Sequence, residues 1–183
     1  MEFGAWDGKH FSNTFNLVEK GAKAIMVEGD QQKYKDLLKT CEEYPNIRPI
    51  LRYVLPTGPD SVENILNENG IEEVDLLSID VDSSDFQIFD SLKKKHKIIV
   101  VEFNPTFGIT EEYSSEEGKC IGSSFYSFVV SADKKNYSLV SYTNTNLFFV
   151  RTELITNKNF VPLNLECLEI LHNITKWGLR VAS

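Results

Sequence analysis

The chain opens on Glu2-Phe3-Gly4-Ala5-Trp6-Asp7-Gly8, a strand end that turns through two glycines toward an amphipathic stretch holding Phe11 and Phe15. Glu28, twenty residues beyond Gly8, ends a second apolar run and is followed by Gly29. A carboxylate closing the second strand of a βαβ unit can accept both hydroxyls of a ribose, so this spacing suits a nucleoside. Singly, the glycines could serve only a tight turn and the acids only the surface; together, in one βαβ unit, they point to a cofactor site.

What the turn lacks narrows the nucleoside. A dinucleotide site uses G-x-G-x-x-G, whose second glycine lets the pyrophosphate approach the backbone. Trp6 stands in that place here, and Glu2 and Asp7 add negative charge. A diphosphate would be crowded and repelled. S-adenosylmethionine has no phosphate, and its sulfonium and ammonium groups suit an acidic pocket.

A second acidic group follows the third and fourth apolar runs, as Asp80-Val81-Asp82-Ser83-Ser84-Asp85 and as Glu102 and Asn104. Asp80, Asp82, Glu102 and Asn104 could converge as oxygen ligands for a hard cation such as magnesium. The plainer reading, in which Asp82 and Asp85 cap the next helix, is preferred, and no metal is assigned. If an acceptor hydroxyl needs a base, Asp80 is the first candidate and Glu102 the second. Asp82, Asn104, Tyr113 and Ser123 are expected near the acceptor. His10, His96 and His172 are read as structural or solvated.

These residues need a scaffold. Ala22–Val27, Ile47–Leu55, Val74–Val81 and Lys97–Phe103 are short apolar runs with the character of strands. Helical spacing joins Phe11, Phe15 and Val18, and again Tyr34, Leu37, Leu38 and Cys41. A third helix covers 64–69, capped at Asp60/Ser61 and closed by Gly70, and a fourth spans Ser84–Leu92. This alternation predicts an α/β fold, a doubly wound, mostly parallel sheet. After a helix over Ser123–Lys134, the runs Tyr137–Tyr142 and Leu147–Arg151 flank Thr143-Asn144-Thr145-Asn146 and predict an antiparallel hairpin. The polar stretch Thr106–Ile121 is expected to be a lid. Only Met1 and Phe3 supply apolar residues before Gly4, so the first strand reads as clipped, with upstream sequence missing or the fold a minimal version.

The ordered set EFGAWDGKHFSNT, VEGD, LLSIDVDSSDFQIFDSL, VVEFNP and YSLVSYTNTNLFFVR resembles class I S-adenosylmethionine-dependent methyltransferases, particularly the FkbM-type group, over most of residues 2 to 151. The resemblance implies a seven-stranded Rossmann-like sheet with a terminal antiparallel hairpin. It also implies that Glu2, Gly4 and Gly8 shape the methionine pocket, that Glu28 grips the ribose and that Asp80 stands near the donor methyl. Ala5, Asp7 and Gly29 complete the expected cofactor contacts. The family's usual glycine is absent at Trp6. The implied activity is methylation of oxygen on a sugar or related metabolite. A catalytically silent or partner-completed version of the fold and a nicotinamide-dependent oxidoreductase are the alternatives.

Composition sets the bounds. With 183 residues, 42% apolar and 25% charged, the chain suits one compact domain, expected over 1–155. Residues 156–183, with Leu163, Leu165, Leu168, Leu171 and Ile174, are expected to form an amphipathic extension over the sheet or against another subunit, so a homo-oligomer is open. A formal charge of −8 disfavours nucleic acid, and Lys93, Lys94, Lys95 and Lys97 read as a solvated helix end. Cys41, Cys120 and Cys167 form neither a disulfide framework nor a zinc motif. No apolar run is long enough to span a bilayer and no signal peptide is evident, so a cytoplasmic protein is expected. The glycosylation patterns Asn-Tyr-Ser at Asn136 and Asn-Ile-Thr at Asn173 carry no weight without a secretory signal.

Overall fold

Aliphatic runs broken by glycine or charge form the strands β1 (Glu2–Phe3), β2 (Ala24–Glu28), β3 (Ile47–Leu51), β4 (Leu76–Ile79), β5 (Ile98–Glu102), β6 (Tyr137–Tyr142) and β7 (Asn146–Arg151). The helices between them are α1 (Phe15–Val18), α2 (Gln31–Glu43), α3 (Val62–Glu68), α4 (Asp85–Ser91) and α5 (Phe125–Lys134). The structure is a computed structural model, and it describes residues 1–82, 84–116, 119, 121–157, 163 and 170. Its strands lie in one sheet of order β3-β2-β1-β4-β5-β7-β6. β1 to β5 run parallel, and β7 lies antiparallel between β5 and β6. This is the expected α/β class with its reversed hairpin. The order turns back at β1 and β4, which places a crevice beyond their carboxyl ends.

Side chains alternate across the sheet and both faces are covered, as a parallel sheet requires. Phe3, Val27, Ile79, Val101 and Phe149 pack with α3, α4 and α5 through Ile65, Phe89 and Phe128. Ala24, Met26 and Ile47 pack on the other side with Val18 of α1 and Leu37 of α2. Pro49 is tolerated within β3 because that strand forms the sheet edge.

Local chemistry sets the helix starts. Asp30 caps α2 by accepting from the N–H groups of Gln32 and Lys33, Ser61 caps α3, and the Ser124 hydroxyl accepts from Ser127 N–H at the start of α5. In the hairpin, Thr143 N–H donates to Asn146 O at 2.8 Å and its hydroxyl accepts from Asn146 N–H at 3.0 Å.

Two element expectations are corrected. The stripe through Phe11 does not make one helix: Phe11 is 90% exposed at φ +55°, and α1 begins only at Phe15. Polar side chains take over the backbone there, Asp7 accepting from Lys9 and His10 N–H and Ser12 from Thr14 and Phe15 N–H. β3 stops at Leu51 rather than reaching Leu55, which instead makes an isolated bridge to Ser61. The loop expected as a lid is held at Tyr113 and Ser115: Tyr113 N–H donates to the Ser124 and Ser127 hydroxyls, Tyr113 O accepts from Ser124 N–H and the Ser127 hydroxyl, and Ser115 N–H donates to the Ser123 hydroxyl. Leu163 pairs with Leu139 of β6; the helix expected through Leu165, Leu168, Leu171 and Ile174 lies outside the described residues.

Candidate active site

Gly4 sits at φ +76°, and a Cβ on it would come 1.6 Å from the carbonyl oxygen of Asp80. Only glycine lets the end of β1 press this close to the end of β4. From there the chain turns along β2, with the N–H groups of Gly4 and Ala5 donating to Val27 O at 3.0 and 3.1 Å. Glu28, 6% exposed, then fastens the turn by accepting from Trp6 N–H and Asp30 N–H, each at 2.7 Å. A carboxylate offers about four lone-pair sites, so these two bonds leave capacity for two further donors. Glu28 lines a cleft of about 340 Å³ together with Gly4, Gly29, Tyr53, Asp80 and Asp82.

Tyr53 was not among the expected site residues. Its ring lies against Gly29, where a Cβ would meet it at 2.4 Å, and the side chain is 68% exposed. Glycine at 29 therefore makes room for an aromatic face at the cleft. An aromatic just past an edge strand is a weak sequence signal, and here it was absorbed into the expected strand. The cleft also holds Lys33 and Arg52, and Arg52 is already paired with Asp60 at 3.0 Å and with Glu68.

Beyond Asp80 the acids crowd. One carboxylate oxygen from each of Asp80, Asp82 and Glu102 lies within 4.8 Å of the others. Burial pushes the Asp80 carboxyl up to about 6, and the charges of Asp82 and Glu2 push the same way. Burial with the nearby Asp80, Asp85 and Asp82 raises Glu102 to about 8. Asp85, also buried, rises to about 7 although it accepts from Val81 N–H at 2.7 Å. Repelling carboxylates of this kind share protons as a set. Of this set Asp80 is raised least and gives up its proton most readily, and Glu102 is raised most. The expectation that Asp82 and Asp85 cap α4 is not met: the N-cap is Ser84, without a side-chain cap bond, and Asp85 folds back onto Val81.

The structure separates the remaining expected residues from the cleft. The Glu2 carboxylate is buried and accepts from the Ser12 hydroxyl at 2.7 Å, Asn13 N–H at 3.0 Å and the Thr14 hydroxyl at 2.5 Å, so it braces the turn. Asp7 is occupied by Lys9, His10 and the His10 ring, and Gly8, at φ +78°, faces Leu37 and Met26 where a Cβ would be 2.9 Å from either. Trp6 takes a glycine-like φ of +46°. Its ring stacks on His10 at 5.6 Å and does not line the cleft, and the acids that do line it are Glu28, Asp30, Asp80 and Asp82 rather than Glu2 and Asp7. Asn104 is spent on Thr106 and on Ile121 O, which leaves three of the four possible metal ligands together. Tyr113 stacks on Phe107 at 4.4 Å, and Ser123 is buried under the loop.

No family model matches the chain, and no curated protein matches it either. Among solved structures the chain is similar to a SAM-dependent methyltransferase from Aquifex aeolicus, at 10% identity and TM-score 0.45 over 81% of this chain and 78% of that one. It is also similar to WbdD, at 14% identity and TM-score 0.46 over 82% of this chain and 34% of that one, so it spans about a third of WbdD. No helix among the described residues is long and apolar enough to cross a membrane.

Proposed function

We propose that this protein is an S-adenosylmethionine-dependent methyltransferase. The observation that carries the reading is the cleft at the switch point, with a buried Glu28 carboxylate on one wall and Asp80 on the other. Its volume falls in the range of small-molecule sites, and its acids match a ligand with hydroxyl donors and positive charge. Glu28 is assigned to the ribose hydroxyls, Asp80 to the cationic end, and the backbone at Gly4, Ala5 and Gly29 to close approach. When bound, the cofactor supplies an electrophilic methyl group on a cationic sulfur. The chain's own part is to position the acceptor and manage its proton. Asp80, which gives up its own proton most readily, is the group able to take a proton from an acceptor hydroxyl. Glu102, protonated until about 8, offers a hydrogen bond instead.

A hydroxyl of a sugar or another small metabolite is the proposed acceptor, and that choice rests on the FkbM-type resemblance. The second reading is a catalytically silent protein of the same fold. It is favoured by the Glu2 carboxylate, whose three local bonds take it away from the cofactor. Titration calorimetry with S-adenosylmethionine tests the reading: binding is expected, with loss of at least tenfold in affinity on Glu28→Gln. Folded protein that shows no heat at about 1 mM ligand would overturn it. Binding without turnover on any hydroxyl acceptor would favour the silent reading, and binding of NADH in its place would favour an oxidoreductase.

A further inference from the structure

The face of the sheet away from α3, α4 and α5 can be followed strand by strand. Register sets Met26 of β2, Glu2 of β1, Ser78 of β4, Val100 of β5 and Phe148 of β7 in one row. The adjacent row, Val27, Phe3, Ile79, Val101 and Leu147, belongs to the first core, so the row from Met26 to Phe148 points the other way. Met26 packs there with Val18 of α1 and Leu37 of α2. Glu2 and Ser78 lie under the turn that follows β1. Glu2 accepts from Ser12, Asn13 and Thr14, and Asn13 Nδ2 donates to the Ser78 hydroxyl at 3.2 Å.

Past Ser78 these covers stop. Val100 and Phe148, with Ile98 and Val150 two residues away on the same strands, make an apolar patch, and none of the four belongs to either core among the described residues. Val100 still has no exposed surface, and the other three are partly buried. Asn146 Oδ1, at the carboxyl end of the same face and opposite Glu102, is buried as well. A valine on an interior strand stays dry on a sheet face only when a layer lies over it. The loop at Tyr113 and Ser115 is held on the other side, by Ser123, Ser124 and Ser127 at the start of α5. Leu163 gives the direction of the remaining chain: it pairs antiparallel with Leu139 on the outer edge of β6, one strand beyond β7.

We propose that residues 164–183 turn around the edge of β6 and cover this half of their own sheet, over Val100 and Phe148. Ile170 is helical and 53% exposed, and a helix advances about 100° per residue, so Leu168 falls on the opposite side and faces the strands. A helix of ~12 residues measures ~18 Å and a five-residue strand such as β5 ~17 Å, so one helix spans the patch lengthwise. Its cover reaches the row of Glu102 and Asn146, which makes this segment a wall of the acid cluster. The inference is independent of the methyltransferase reading, because its readouts are proximity and stability rather than cofactor binding.

The test keeps the whole chain. A nitroxide is attached at Ile170→Cys, in a background of Cys41→Ser, Cys120→Ser and Cys167→Ser, and amide signals are compared before and after the label is reduced. Val100 and Phe148 should broaden strongly, while Phe89 of α4 and Phe128 of α5, across the sheet, stay sharp. Leu168→Asp should lower the melting temperature by at least ~5 °C, and Ile170→Asp by less than ~1 °C. Sharp signals at Val100 and Phe148, broadening centred on Phe89 and Phe128, or equal melting of the two Asp variants would overturn the proposal. So would broadening of Val100 in an isotope-labelled copy mixed with a nitroxide-labelled one, since that would mean that a second copy supplies the cover.

Discussion

Glu102→Gln should stabilise the protein at alkaline pH and leave it nearly unchanged at acid pH. Burial and the charges of Asp80, Asp85 and Asp82 raise this carboxyl from its ordinary 4.5 to about 8. The folded protein therefore holds the Glu102 proton more tightly than the unfolded chain does. That contribution to stability is complete below about 4.5 and is lost as pH climbs through about 8. The magnitude follows from the spacing of the acids. Full charges 4.8 Å apart, the outer limit for this cluster, repel by ~3.5 kcal/mol at an effective dielectric constant of about 20. Solvent reaches half-buried Glu102, and screening brings the expected gain at pH 8.5 to ~1–2 kcal/mol. In a chain of this length that is a rise in melting temperature of roughly 2–8 °C. Thermal unfolding followed by circular dichroism at pH 5 and pH 8.5, for the native protein and Glu102→Gln, provides the measurement. The same shift at both pH values, or a destabilised variant at pH 8.5, refutes the reasoning, because neither arises from removing a repelling charge.

Two further outcomes can be checked on the same samples. Gly4→Ala places a methyl group where the Asp80 carbonyl oxygen lies 1.6 Å away and keeps a positive φ, so a loss of at least ~3 kcal/mol in denaturant unfolding is expected; a change under ~1 kcal/mol would show that β1 and β4 do not meet there. Burial lowers His96 to about 4, and its Nδ1 accepts from Val74 N–H at 3.3 Å while Nε2 finds no partner among the described residues. Its neutral form supports the fold above the ordinary 6.5, and that support is lost as pH falls toward 4. The imidazole carbon shifts in NMR should therefore stay those of a neutral ring at pH 5.5, and titration near 6.5 would contradict the buried placement.

The strand-helix rhythm, the reversed hairpin and the pair of acids at Glu28 and Asp80 were legible in the sequence, because apolar periodicity and glycine turns are local signals. Glu28 and Asp80 end different strands, and both strand ends must open on the same side of a parallel sheet, so their convergence followed from topology alone. The fate of Glu2 did not. A buried carboxylate at the first strand looks like a ligand contact until Ser12, Asn13 and Thr14 fold over it, and nothing local announces that those three residues leave the helix.

What the sequence determined by itself is the order of elements and the acidic character of the crevice, since both depend on residue type and on spacing along one strand or helix. Tertiary structure decided which acids share protons, because pKa values respond to burial and to neighbours brought together from β4, α4 and β5. It also decided that Trp6 turns outward onto His10 and that Tyr53 covers Gly29. Each of these is a contact set by how the folded backbone turns, and a spacing pattern carries no record of it.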